Sequence, residues 1–203
     1  MSKGNLTCIC GGMFAGKTEE MIRRIKGAVF AREKIVVFTP SIDNRRGVGN
    51  IISHGNIDLH KTTGIVPLVL KVNATAEEFR ELRIRLVDDE VDLVAIDEIQ
   101  FFEKTIIDFV TELICSDVKV IVAGLDLTAN GKPFGPIPEL LALSEEPVKL
   151  RSICSCCHKA ATRTFFRNGT LKQEIIVGGN DLFEPRCLKC WVEGQTSNQP
   201  SDS

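Results

Sequence analysis

Over the first 150 residues, short apolar runs alternate with longer stretches in which apolar positions recur every three or four residues. Short continuous runs suit strands buried on both faces, and the longer period suits helices laid across them. The pattern predicts strands at Leu6–Cys10, Ile35–Thr39, Val91–Ile96 and Val118–Ala123, and helices over residues 17–31, 74–86, 104–116 and 139–143. In the helix at 74–86, Phe79, Leu82 and Leu86 share one face; in that at 104–116, Ile107, Val110 and Ile114 are spaced for burial. Pro40 closes the second strand, and Pro133, Pro136 and Pro138 mark a rigid turn before the last helix. Strands joined by helical crossovers predict an α/β fold, a mostly parallel sheet flanked by helices.

Two stretches break the pattern. Ser41–Lys61 is rich in Gly, Asn and charge, has no period, and reads as a long loop. Beyond Leu150 the chain turns to cysteines, basic residues and two β-rich pieces, Ala161–Phe166 and Gln173–Val177. The expected organisation is an α/β domain over residues 1–150, a small lobe over 151–193 and a disordered polar tail over 194–203.

Composition adds exclusions. Of 203 residues 43% are hydrophobic and 26% charged, with a net charge of −2, so no global basic field points to nucleic acid or an anionic membrane. Met1–Asn5 has no signal-peptide character and no run of eighteen apolar residues follows, so a cytoplasmic protein is expected. There, eight cysteines suggest metal or catalysis before disulfides. Cys8, Cys10 and Cys115 lie in apolar surroundings and read as core; Cys154, Cys156, Cys157, Cys187 and Cys190 cluster late.

Residues 11–18 (Gly11, Gly12, Met13, Phe14, Ala15, Gly16, Lys17, Thr18) match G-x-x-x-x-G-K-[ST] between a strand and a helix, the context a phosphate-binding P-loop needs. Glycines let backbone N–H groups converge on a phosphate, the lysine reaches the β and γ oxygens, and the threonine hydroxyl ligates Mg²⁺. The complementary acid should end another parallel strand. After the apolar run Leu93–Ile96 come Asp97, suited to magnesium, and Glu98, suited to accepting a proton from an attacking hydroxyl or, more blandly, to capping a helix.

Cys154/Cys157 and Cys187/Cys190 form two C-x-x-C pairs, a ligand set for structural, tetrahedral Zn²⁺. Cys156 leaves a shifted pairing open, His158 is an alternative ligand, and a redox pair is the rival chemistry. From Lys149 to Cys190 eight basic residues face three acidic ones, which suits either closure over a phosphorylated nucleotide or nucleic-acid contact.

With these motifs in this order the chain resembles the cytosolic thymidine kinase family, the one with a zinc-bearing lasso domain. The likeness runs from Gly4 to about Trp191 and rests on residues 12–18, 41–45, 53–54, 97–102, 123–126, 133–136 and 178–181. It implies ATP-dependent phosphorylation of the 5′-hydroxyl of thymidine or a close pyrimidine deoxynucleoside in nucleotide salvage, with ATP, Mg²⁺ and structural Zn²⁺ and a homotetrameric assembly. Neither membrane nor nucleic acid is an expected partner. Glu98 resembles the base, and Lys17, Thr18 and Asp97 the phosphate and magnesium ligands. Asp43 and Arg45 match a variable loop near the phosphates, and Gln100 falls in the same cofactor-side motif. Met13, Phe101, Leu125, Phe134 and Thr164 match the nucleoside pocket, with Gly178, Gly179 and Phe183 in the lasso over the base.

Departures concentrate in the base pocket. Ala15 stands where serine is usual, Ala129 and Asn130 where the family carries Phe and Arg, Phe183 where it carries tyrosine, and Phe166 and Leu188 replace arginines. These motivate an alternative, a diverged member with altered nucleoside specificity or a regulatory nucleotide-binding role. A third class is a P-loop ATPase whose lobe engages nucleic acid.

Overall fold

The computed structural model describes residues 4–42, 51–52, 57–167 and 182–197. Six strands, β1 (Leu6–Cys10), β2 (Ile35–Pro40), β3 (Leu68–Leu70), β4 (Leu93–Ile96), β5 (Lys119–Gly124) and β6 (Glu146–Lys149), form one sheet in the order β3-β2-β4-β5-β1-β6. Every pairing in it is parallel. The helices are α1 (Lys17–Phe30), α2 (Leu59–Thr63), α3 (Ala76–Asp88), α4 (Thr105–Cys115), α5 (Ile137–Leu143) and α6 (Leu188–Ser197).

The central strands read as unbroken apolar runs because both sheet faces are covered. In β4, Val94 and Ile96 join the core under α3, α4 and α5, while Leu93 and Ala95 join the core under α1 with Met21, Ile22 and Ile25. In β5, Val120 and Val122 take the first face, Ile121 and Ala123 the second. Phe79 of α3 stacks on Phe109 of α4 with centroids 4.8 Å apart. All six strands therefore deliver their carboxyl ends to one edge, where open α/β sheets bind ligands.

Several expectations change. The edge strands β3 and β6 were not expected: β3 is a short apolar run whose Leu68 and Val69 are exposed at the sheet edge, and β6 reads Glu-Pro-Val-Lys. In the expected loop at 41–61, α2 begins at Leu59, capped by the Asp58 carboxylate that accepts the Lys61 N–H at 3.1 Å. The buried face of α4 is Ile106, Phe109, Val110 and Leu113, with Ile107 and Ile114 only partly buried and Cys115 exposed rather than core. The stacking of Phe109 on Phe79 sets that rotation.

The C-terminal lobe pairs β7 (Ser152–Ile153) with β8 (Ala160–Ala161), and β9 (Arg163–Phe166) with β10 (Phe183–Arg186), both antiparallel. Residues 194–197, expected in a disordered tail, continue α6. Their polar composition hides a docking contact, since the Gln195 amide donates to the Ala129 carbonyl at 3.4 Å. The β-rich piece at 173–177 lies outside the described residues. Among the described residues no helix is long and apolar enough to cross a membrane.

Candidate active site

The turn after β1 is built tightly. The Leu150 N–H donates to the Cys10 carbonyl at 2.8 Å, and a side chain at Gly11 (φ 148°) would sit 2.6 Å from the Leu150 carbonyl oxygen. Only glycine tolerates both the backbone angle and the approach. Phe14 (φ 62°) and Gly16 (φ 82°) then turn the chain into α1, whose first-turn N–H groups face the loop. Lys17 curls back, its ammonium donating to the Gly12 carbonyl at 2.8 Å. Burial pulls the Lys17 pKa down, against the opposing pull of the Glu98, Asp97 and Asp126 carboxylates.

β5 lies between β1 and β4, yet the two tips meet: the Thr18 hydroxyl donates to Asp97 Oδ2 at 3.3 Å. A hydroxyl and a carboxylate oxygen beside a phosphate loop form a hard-oxygen pair suited to a divalent cation. Glu98 follows with φ 50° and ψ 40°, a left-handed conformation that costs a non-glycine residue about 1 kcal/mol or more. It is held there. The Glu98 N–H donates to Asp97 Oδ1 at 2.9 Å, and the Gln100 amide donates to Glu98 Oε2 at 2.5 Å. Gln100 is buried, and its carbonyl accepts the Leu125 N–H at 3.0 Å, so both ends of its side chain are turned onto the protein.

Beside this lies an apolar wall. Met13, Ala129 and Phe183 are buried together, with Phe14, Leu125 and Phe166 packed around them. Phe166 and Phe183 lie 5.5 Å apart, supplying aromatic surface next to Ala129. Phe101 and Phe134 meet edge to face at 5.9 Å. Thr164 is buried and its hydroxyl accepts the Met13 N–H at 3.1 Å, joining the lobe to the loop. Ala15 is half-buried within the loop. Asp43, Arg45, Gly178 and Gly179 lie outside the described residues.

One pair was given no role by the sequence, although Asp126 falls in the 123–126 stretch that carries the resemblance. Asp126, just beyond β5, is 5% exposed, and its partner is the Lys149 ammonium at 2.7 Å, off the line of an aligned hydrogen bond. Lys149 pairs in register with Cys10, so the two charges straddle the root of the loop. The usable signal was the acid two residues beyond a buried strand, much the same placement that marked Asp97.

In the lobe, the thiols of Cys154, Cys157, Cys187 and Cys190 all lie within 4.8 Å of one another. The Cys157 and Cys187 sulfurs are 3.6 Å apart, close to the edge of about 3.8 Å that a tetrahedron with zinc–sulfur bonds of about 2.3 Å requires. The four thiols thus fit one zinc ion, and two separate redox pairs do not describe them. Cys156 is exposed and His158 stands outside the cluster. Cys8 and Cys10 are core thiols, pushed by burial to about 12 and about 11.

The family model described as Thymidine kinase matches residues 4–191, a span that holds both the phosphate loop and all four clustered cysteines. The chain belongs to the thymidine kinase family. A Thymidine kinase of Bacteroides fragilis strain YCH46 is 38% identical over 191 residues, covering 93% of this chain and 87% of the relative. One of Bacteroides thetaiotaomicron is 36% identical over 195 residues, covering 95% and 89%. Membership makes this an enzyme of the thymidine kinase type, a phosphotransferase acting on nucleosides.

Proposed function

We propose that the chain transfers the γ-phosphoryl group of ATP to the 5′-hydroxyl of thymidine, giving thymidine monophosphate for nucleotide salvage. The observation that carries the reading is the meeting of Thr18 with Asp97 beside Lys17, with Glu98 braced next to them in a left-handed turn.

In this reading the loop amides and the α1 N-terminus bind the β and γ phosphates, and the Lys17 ammonium leaves the Gly12 carbonyl for phosphate oxygens. Thr18 and Asp97 hold Mg²⁺, which supplies charge neutralisation on the transferring phosphoryl group. Glu98 accepts the proton of the 5′-hydroxyl as that oxygen bonds to phosphorus and ADP departs. Phosphoryl transfer asks mainly for positioning and charge stabilisation, which suits a base fixed by Asp97 and Gln100. The apolar wall around Met13 and Phe183 receives the base, and the four-cysteine cluster carries a structural zinc ion.

The test is direct. Purified protein with ATP, Mg²⁺ and thymidine forms thymidine monophosphate, and Glu98→Gln lowers kcat by about a hundredfold or more while ATP still binds. Unchanged turnover in that variant would refute Glu98 as the base, and turnover of a different nucleoside in preference to thymidine would refute the substrate.

A further inference from the structure

Trp191 is the only tryptophan of the chain, and it stands immediately after the zinc-cluster residue Cys190. Its indole N–H is shared between two carbonyl oxygens, that of Ala129 and that of Thr164, each at 3.2 Å. The two acceptors belong to different parts of the molecule. Ala129 sits in the tight turn between β5 and α5, closed by the Gly131 N–H donating to the Thr128 carbonyl at 2.9 Å. Thr164 is in β9, and its hydroxyl accepts the Met13 N–H of the phosphate loop.

The ring adds a steric contact. A side chain at Gly131 (φ 77°) would lie 3.0 Å from the indole, so the turn is shaped to the ring lying on it. At the other end, the Trp191 backbone N–H donates to the carbonyl of Cys187 at 2.9 Å, inside the second cysteine knuckle. A residue that only filled space would need no donor, whereas the partly buried Trp191 indole turns its N–H onto two protein acceptors. Here the donor is spent on joining two elements that no described strand pairing connects.

We propose that Trp191 is a positioning residue that locks the phosphate loop and the Ala129 wall to the four-cysteine cluster, so that nucleotide at the loop is felt at its indole. The chain of contacts runs from Cys190 to Trp191, then to Thr164 and Met13 on one side and to Ala129 on the other. It rests on the reading of the loop as the ATP site.

Two measurements on the full-length, zinc-loaded protein decide it. Because there is one tryptophan, emission reports this residue alone: adding ATP with Mg²⁺ should shift or quench it saturably. In Trp191→Phe, which keeps a ring and removes the donor, zinc content by elemental analysis should stay unchanged while KM for ATP rises by about three- to tenfold and kcat changes less, the range for a lost hydrogen bond. Thr164→Val should give the same signature, and the double variant should fall no further than the worse single one, because both break one chain of contacts. Multiplicative losses, or a zinc-replete Trp191→Phe with an unaltered KM for ATP, overturn the proposal. If Trp191→Phe loses zinc or fails to fold, the wild-type emission decides: silence during measured ATP binding overturns the coupling. Absence of phosphorylation in the wild type would instead count against the proposed reaction, since the emission response needs only ATP binding.

Discussion

Gln100 has neither charge nor reactive atom, yet it spans the Glu98 carboxylate and the Leu125 backbone. Gln100→Leu keeps the volume but releases Glu98 from one of its holds and strands the Leu125 N–H. Steady-state kinetics should show kcat lowered by about tenfold, and thermal unfolding a loss of about 1–3 kcal/mol. The Asp126–Lys149 pair makes a second case. Removing Lys149 leaves a buried carboxylate without its counter-charge, whereas Asp126→Asn removes the charge itself. Denaturation should therefore rank Lys149→Met as the more damaging variant, by about 1–3 kcal/mol after allowing for the half-exposed lysine. Asp97 and Glu98 were legible in the sequence because an apolar run leads straight to them. The duties of Gln100 and Asp126 were not, because Leu125, which Gln100 ties to Glu98, and Lys149, which faces Asp126, lie more than twenty residues away and meet them only at the assembled sheet edge.

Helix α1 is fastened to the sheet by an ionic chain in which Glu20 takes Arg23 and Arg24, and Arg24 reaches Glu146 of β6 through two hydrogen bonds of 2.7 and 2.8 Å. The hydrogen bond from Arg23, helped by Arg24, holds the Glu20 carboxyl at about 2 against its ordinary 4.5. A depressed carboxyl stabilises the fold above its unfolded pKa and loses that contribution as pH falls through the folded value. Melting temperature should drop between about pH 4.5 and pH 2, and Glu20→Gln should flatten that portion of the profile. At the start of α3, Thr75 and Glu78 form a reciprocal capping box, so Thr75→Ala should cost about 1 kcal/mol in urea unfolding. The strands buried on both faces declared themselves by composition alone. The edges β3 and β6 did not: β3 is three residues long, and β6 owes its place to the Thr7 and Arg24 contacts of Glu146, not to an apolar signature.

For the molecule as a whole, the paired C-x-x-C spacing made the lobe's metal chemistry readable, while the choice of thiols over Cys156 and His158 had to wait for three dimensions. Elemental analysis should find about one zinc per chain, and Cys187→Ser should lose it together with several degrees of melting temperature. The expected tail was misjudged over residues 194–197 because α6 is held by polar contacts to a distant turn, which apolar periodicity does not register.

The pairing of β1 with β6 reaches further still. Leu6 donates its N–H to Glu145, 139 residues along the chain, so β1 is synthesised long before the strand that completes its set of neighbours. Until residue 149 has emerged, one side of β1 stays open as an unpaired apolar template. A nascent or truncated chain ending before that point is therefore exposed to mispairing, a consequence of a parallel strand order whose last partner is the most distant in sequence.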